Sequence, residues 1–240
     1  MSRRGALLFA AIEIAIPWVL LGAAETHISS SLTALLLAAV PLVGVVIART
    51  TGGAERLDAR NGVGLAIGLV GVAAIVGPSL GGAGVLPIAQ VGLVAVCYAV
   101  GPAILQRYLA DLPPYGVIAA SLSVTAVAYL PIVALGRRGD APSAKAVASV
   151  VVLAVVCTAL AFVLFFALIA EIGPVRSTVI TYVNPAVAAI LGVAILDEHF
   201  TVAMGVGLLL VLAGSVLATR RPTKAPRVVE TGLEPAREAA

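Results

Sequence analysis

The sequence predicts an all-α fold: a polytopic transmembrane helical bundle of about eight spans. Of its 240 residues, 61% are hydrophobic and 11% charged, against roughly 25% charged in ordinary soluble domains. The apolar residues gather into runs at 5–25, 31–49, 61–78, 85–108, 115–136, 146–171, 174–196 and 201–219, each near the roughly 20 residues needed to cross a hydrocarbon core. A bilayer core offers backbone groups no water, so a segment that spans it must satisfy its own amides, as a helix does. Little sequence is left for a soluble domain.

Span 1 follows Met1-Ser-Arg-Arg, which has the outline of a signal peptide. Its run from Gly5 to Ala24 exceeds the usual apolar region of about 7–15 residues and carries Glu13 and Pro17, so it reads as a retained span. Span 2 comes after "ETHISSS" and holds Pro41, and span 3 holds the Gly64-xxx-Gly68 pair. Spans 4, 5 and 6 each place polar or aromatic side chains among aliphatic ones: Gln90, Cys97 and Tyr98, then Tyr129, then Cys157 and Thr158. Span 7 contains Thr181, Tyr182, Asn184 and Pro185 and ends on Asp197-Glu198; span 8 has glycines at 205, 207 and 214. Residues 220–240 are rich in proline and charge with nothing to bury, and read as a disordered cytoplasmic tail.

A net charge of +3 could suggest nucleic acid, but the placement of the basic residues points elsewhere. Eight spans put both termini on one side. If that side is the cytoplasm, Arg3, Arg4, Arg49, Arg56, Arg60, Arg107, Arg176, Arg220, Arg221, Lys224, Arg227 and Arg237 lie inside, and Arg137, Arg138 and Lys145 lie outside. This follows the positive-inside rule, with the loop 137–145 as the dissenter, and predicts a multi-pass protein of the cytoplasmic membrane with both termini cytoplasmic. Neither nucleic acid nor a cofactor is expected. Cys97 and Cys157 sit inside apolar spans and read as small hydrophobes; His27 and His199 have no metal-ligand spacing, so no metal is expected.

The chain repeats itself. Laying 28–72 over 172–215 matches Val40-Pro41 with Asn184-Pro185, Glu55-Arg56-Leu57 with Glu198-His199-Phe200, and Gly62-Val63-Gly64-Leu65 with Gly205-Val206-Gly207-Leu208. The copies begin at spans 2 and 7. An odd separation of five spans reverses orientation in the membrane, so the repeats are inverted, the arrangement that supports alternating access around a mid-membrane site.

These two copies, with the "ETHISSS" before the first, resemble the EamA-type repeat of the drug/metabolite transporter superfamily. The resemblance extends to about residue 219. It implies ten helices in two five-helix inverted repeats, cytoplasmic termini, and export or import of small metabolites. Spans 4–8 make a complete second repeat over 85–219, whereas spans 1–3, within 1–78, match only the last three helices of the first. Two helices of the pattern are thus expected either upstream in a longer gene or not at all, in a short form, and transport by this chain alone is left open.

Candidate functional residues follow from cost. An ionisable group within a span is expensive and marks function by default; Glu13 lies about 12 Å deep at 1.5 Å per residue. Pro185 frees a carbonyl near the middle of span 7, beside Asn184 and Tyr182, and such a kink makes a polar patch where a transporter's site is expected. Pro41 is its symmetry mate, with Val40 in place of Asn184, so the site is asymmetric. Trp18, Tyr98, Thr158 and Thr181 complete the candidate cavity lining, with Gln90 and Tyr129 as weaker members. For each, packing is the competing role: a paired or protonated Glu13, or an Asn184 acting as interhelical glue. Glu55 and Glu198 each precede a helix by a few residues and read as loop staples at helix N-termini. The glycines predict close helix approach, chiefly within the chain, with a homodimer as the other use.

Among function classes, an enzyme lacks support: there is no H-E-x-x-H, G-x-x-x-x-G-K-[ST] or G-x-S-x-G motif, and no ATP-binding domain. The expected function is transport of a small metabolite or drug-like molecule, passive or coupled to protons through Glu13, in contact with membrane lipids. A non-transporting membrane subunit or an inactive fragment is the alternative.

Overall fold

The computed structural model describes residues 3–50, 59–136, 141–172 and 180–219. Among them are eight helices and no strand: α1 (3–24), α2 (30–50), α3 (Ala59–Ala83), α4 (Val85–Tyr108), α5 (Pro114–Gly136), α6 (144–172), α7 (Ile180–Leu196) and α8 (Val202–Thr219). All but α7 are long and apolar enough to span a membrane. α7 has 17 described residues, and the first residues of its predicted span, 174–179, lie outside the described residues, as do Glu55 and the 220–240 tail.

Local chemistry shapes several of these helices. In α2 the segments Ser30–Leu37 and Val40–Thr50 are separated by a turn at Ala38–Ala39. Pro41 has no amide to donate to the Leu37 carbonyl, and on either side of it the Ala39 and Leu42 amides reach only three residues back, to Leu36 and Ala39. α7, by contrast, runs through Pro185 as one helix. α3 continues to Ala83, beyond the predicted end at 78, and the next residue turns the chain into α4: Gly84 has φ 76°, a conformation that glycine adopts without Cβ strain.

The closest packing is between α3 and α8. A Cβ on Gly64 would stand 2.5 Å from the Ala218 amide nitrogen and 2.8 Å from the Gly214 carbonyl oxygen. One on Gly71 would stand 2.7 Å from both the Gly207 oxygen and the Val211 nitrogen. Only glycine permits such backbone contact. The contacts also mirror one another. Under the repeat's offset of 143 residues Gly64 becomes Gly207 and Gly71 becomes Gly214; Gly64 against Gly214 and Ala218 is answered by Gly207 against Gly71 and Ile75, and Gly71 against Gly207 and Val211 by Gly214 against Gly64 and Gly68. Each helix thus offers the other the same surface, as a two-fold relation requires. Gly205 lies outside this seam, against the Phe200 ring. At one end the buried Asn61 amide donates to the Ala218 carbonyl at 3.0 Å, closing the C-terminus of α8.

Two apolar cores build outward from the seam. One joins α2, α3, α4 and α8 through Leu35, Leu42, Ile75, Val91 and Val211. The other joins α1, α4 and α5 through Phe9, Ile104, Leu109 and Val117. α4 belongs to both, and buries Cys97 as expected of a small hydrophobe. α7 packs on the Ser30–Leu37 segment of α2, its repeat mate. α6 has no buried residue along its described span, with Cys157 on its surface, and its Phe166 meets Tyr115 of α5 edge to face at 4.7 Å.

The seam makes a stability prediction. Gly214→Val places a side chain in the α3 backbone, and overpacking of this kind costs about 1–3 kcal/mol or more. Its thermal unfolding midpoint in detergent should fall by several degrees, whereas Gly22→Val, at a glycine where a Cβ would meet nothing within 4 Å, should leave the midpoint unchanged.

Candidate functional site

α1 supplies the acid. Pro17 cannot donate to the carbonyl of Glu13 four residues earlier, and the helix widens into a π turn over Ala10–Ala15. The Ile16 amide accordingly reaches the Ala11 carbonyl, five residues back. Such turns are frequent at functional sites. Glu13 sits inside this one, pointing at Gly101 of α4, where any Cβ would collide with its Oε2. That oxygen is buried and has no hydrogen-bond partner among the described residues.

The surroundings are aromatic. Tyr98 and Cys97, about one turn from Gly101 on α4, both lie within electrostatic reach of the Glu13 carboxylate, and the Trp18 indole stands against the Tyr98 phenol. From α5, Tyr129 donates its hydroxyl to the Ala15 carbonyl at 2.5 Å, holding the end of the π turn. The fold therefore brings together Glu13, Trp18 and Tyr98, which the sequence proposed, and adds Tyr129 and Gly101. Tyr129 carried little weight in the sequence and Gly101 none, although a Gly101-Pro102 pair inside an apolar helix was a usable signal.

The other candidates lie elsewhere. Thr158 is on α6, in a second π segment (Leu153–Leu160), and its hydroxyl donates to Leu153 of its own helix at 3.0 Å. Asn184 is exposed on α7, next to the buried Pro185. The side chains of Thr181 and Tyr182 lie outside the described residues. A cavity of about 270 Å³ opens beside the break in α2 and is lined by aliphatic residues of α2, α3 and α4, including Leu36, Ala39, Leu42, Leu69 and Ile88. It adjoins Pro41 rather than Asn184.

A second polar feature ties α7 to α2. Asp197 takes a left-handed conformation (φ 52°), which a short polar side chain tolerates, and α7 ends there. Glu198 then returns its amide to the Gly192 carbonyl at 3.1 Å and extends its carboxylate to α2. The Ser30 amide donates to Oε1 and the Ser31 amide to Oε2, each at 2.9 Å. The Leu32 amide donates to Ser29 Oγ at 3.2 Å, so the three free amides that open α2 all have acceptors. The expected staple is real, but it serves a helix far away in sequence; α8 is capped by its own Thr201, whose Oγ1 accepts from the Met204 amide. Burial alone would raise the Glu198 pKa, but the hydroxyl and amide of Ser31 and the amide of Ser30 bring it below the ordinary carboxylate value. The Ser31 hydroxyl acts here through its field, since it faces the carboxylate without hydrogen-bond geometry. With a folded-state pKa below the unfolded one, the link contributes fully at neutral pH and is lost only as pH falls through the lowered value. Nearby Glu25 moves the other way, raised first by burial and then by the Glu198 charge.

The model of the EamA-like transporter family matches residues 86–220, more than half of the chain. No curated protein matches it.

The Glu13–Gly101 contact is testable as a double-mutant cycle in detergent. Gly101→Ala should destabilise the protein by displacing the Glu13 carboxylate, and Glu13→Ala in the same chain should restore part of that loss, with a coupling of about 0.5–3 kcal/mol as for residues in direct contact. Strict additivity in thermal melts would show that the two residues do not meet.

Proposed function

The chain belongs to the EamA-like transporter family, and from that premise we propose that it moves a small metabolite or drug-like molecule across the cytoplasmic membrane by alternating access, passively or with a proton carried on Glu13. Its membership of a transporter family and its membrane-spanning helices make it a multi-pass membrane protein of transporter type rather than an enzyme type. The observation that carries the finer reading is the unpartnered, buried Oε2 of Glu13 beside Tyr98 and Trp18. A lone carboxylate there is costly unless it binds a proton or a ligand. The mirrored seam of α3 and α8 supports inverted repeats, with 85–219 as the second repeat and 1–78 as the incomplete first. Thr158, Thr181, Tyr182 and Asn184 form the second-repeat side of the proposed path and join Glu13 in a conformation that brings α6 and α7 inward.

That no residue of α6 is buried along its described span favours a second reading, a membrane subunit that works in an assembly. Purification in mild detergent separates the two: a stoichiometric partner held through α6 and lost on Phe162→Ala/Phe166→Ala supports the subunit, and a self-sufficient monomer or homodimer with flux supports the transporter.

Flux into proteoliposomes should be measured with a panel of amino acids, nucleobases, sugars and lipophilic cations, normalised to reconstituted protein. Glu13→Gln should lower the flux of the accepted solute about tenfold or more, as loss of a group used in the transport step would. If protons are coupled, an imposed pH gradient should drive the parent protein and not the variant. Unchanged flux in Glu13→Gln would remove Glu13 from the site.

The twelve-to-three basic asymmetry supports cytoplasmic termini. A reporter that is active only outside the cytoplasm should give no signal when fused after Ala240 and a strong one when inserted at residue 140. The reverse pattern would invert the topology.

A further inference from the structure

We propose that Glu198 is a gate latch: its carboxylate on the Ser30 and Ser31 amides holds α7 against the first segment of α2, and its release lets that segment swing about the Ala38–Ala39 turn and open this face of the membrane. The inference rests on the transport reading and adds to it the moving part. Four observations meet here. The link joins positions 168 residues apart, one in each repeat, through two hydrogen bonds at a single carboxylate. α2 is divided into segments that differ in one main neighbour: Ser30–Leu37 packs chiefly on α7 and to a lesser extent on α4, α3 and α8, while Val40–Thr50 packs chiefly on α4 and α8. A helix divided in this way can bend at the division, because the turn residues absorb the change in backbone angles.

The third observation is that the carboxylate is not needed where the sequence would place it. Thr201 already caps α8, so Glu198 spans the interface without a local duty. The fourth is Gly192, buried where α7 meets α2. A Cβ there would collide with Ser31 Oγ and stand 2.6 Å from Glu198 Oε2. The same residue's carbonyl receives the Glu198 amide. Gly192 thus provides both the space for the latch and the anchor that aims it. The aliphatic cavity includes Leu36 on one side of the turn and Leu42 on the other, so swinging the first segment reshapes that cavity directly.

The test reads the gate without needing a substrate. In the full chain, with Cys97→Ala and Cys157→Ala, a single Thr33→Cys is placed on the buried first segment of α2 (Thr33 is 3% exposed). Its reaction with a membrane-impermeant maleimide, supplied on both sides of the vesicles, is then timed. Glu198→Gln should speed labelling about tenfold, the scale of losing hydrogen bonds to a charged group. Thr201→Ala, which loosens the same loop without touching the latch, should leave the rate within about twofold, since a single neutral cap lies outside the gate. Gly192→Ala provides a second route that keeps the carboxylate: it should also speed labelling, and it stands in for Glu198→Gln if that variant fails to accumulate. Equal rates in the parent and the latch variants, or an equal rise in Thr201→Ala, would overturn the latch. Faster labelling in the latch variants, in a protein that moves no solute of the panel, would retain the latch and overturn the transport reading alone.

Discussion

Backbone contact between α3 and α8 is the constraint on which the remaining architecture depends. Within a bilayer no hydrophobic drive brings helices together, since lipid tails are as apolar as leucine, and association rests on close dispersion contact and polar links. Four glycines, at 64, 71, 207 and 214, allow that contact, and a fifth, Gly68, makes room for Leu42 of α2. Because each helix presents the other with the same pattern, the seam also fixes the relation between the repeats. α2 packs on both seam helices, α7 on α2, and α4 on α2, so the position of each follows from the seam outward.

A symmetric seam does not give a symmetric site. On the first-repeat side, α1 lies against α4 and α5 and carries an acid with a buried oxygen, an indole and a captured carbonyl. On the second, α7 carries the exposed Asn184, while its C-terminal end contributes Glu198 to α2. The polar groups divide by depth. Glu13 lies within a span, where any charge must be matched by a proton or a ligand; Glu198 lies at a span end, where backbone amides already match it. The two acids are suited to different tasks by what surrounds them.

How much of this was legible in the sequence depends on the range of the interaction concerned. Spans were legible because a run of about 20 apolar residues is a local property, and the repeat because glycine and proline positions recur at a fixed offset. The end of α3 was not. Pro78 followed by small residues reads as a loop, yet the helix runs on to Ala83 and stops where Gly84 permits a positive φ. Glu13 was legible as a cost, and Trp18 and Tyr98 as candidates, but their meeting depends on α1 and α4 facing each other. The partner of Glu198 was hidden for the same reason. An acid four residues before α8 suggests a cap for α8, and only the fold shows that Thr201 fills that place and leaves the carboxylate for α2.

The two π segments carry this contrast furthest. They begin at Ala10 and Leu153, 143 residues apart, within one residue of the 144 that relates Pro41 to Pro185. Pro17 gives a sufficient cause for the first, by denying the Glu13 carbonyl its usual partner. No proline lies within or just after the second, where the Thr158 hydroxyl instead bonds the carbonyl five residues back, a side-chain bond of the kind that bends helices. The widened turn therefore belongs to both copies, held by different chemistry in each. At the position of Glu13 the second copy, at the offset of 144 that holds before the loop, has Cys157. Backbone geometry suited to a site is thus present twice, and a carboxylate once. The asymmetry of the proposed site lies in its side chains, on a backbone that the repeats share.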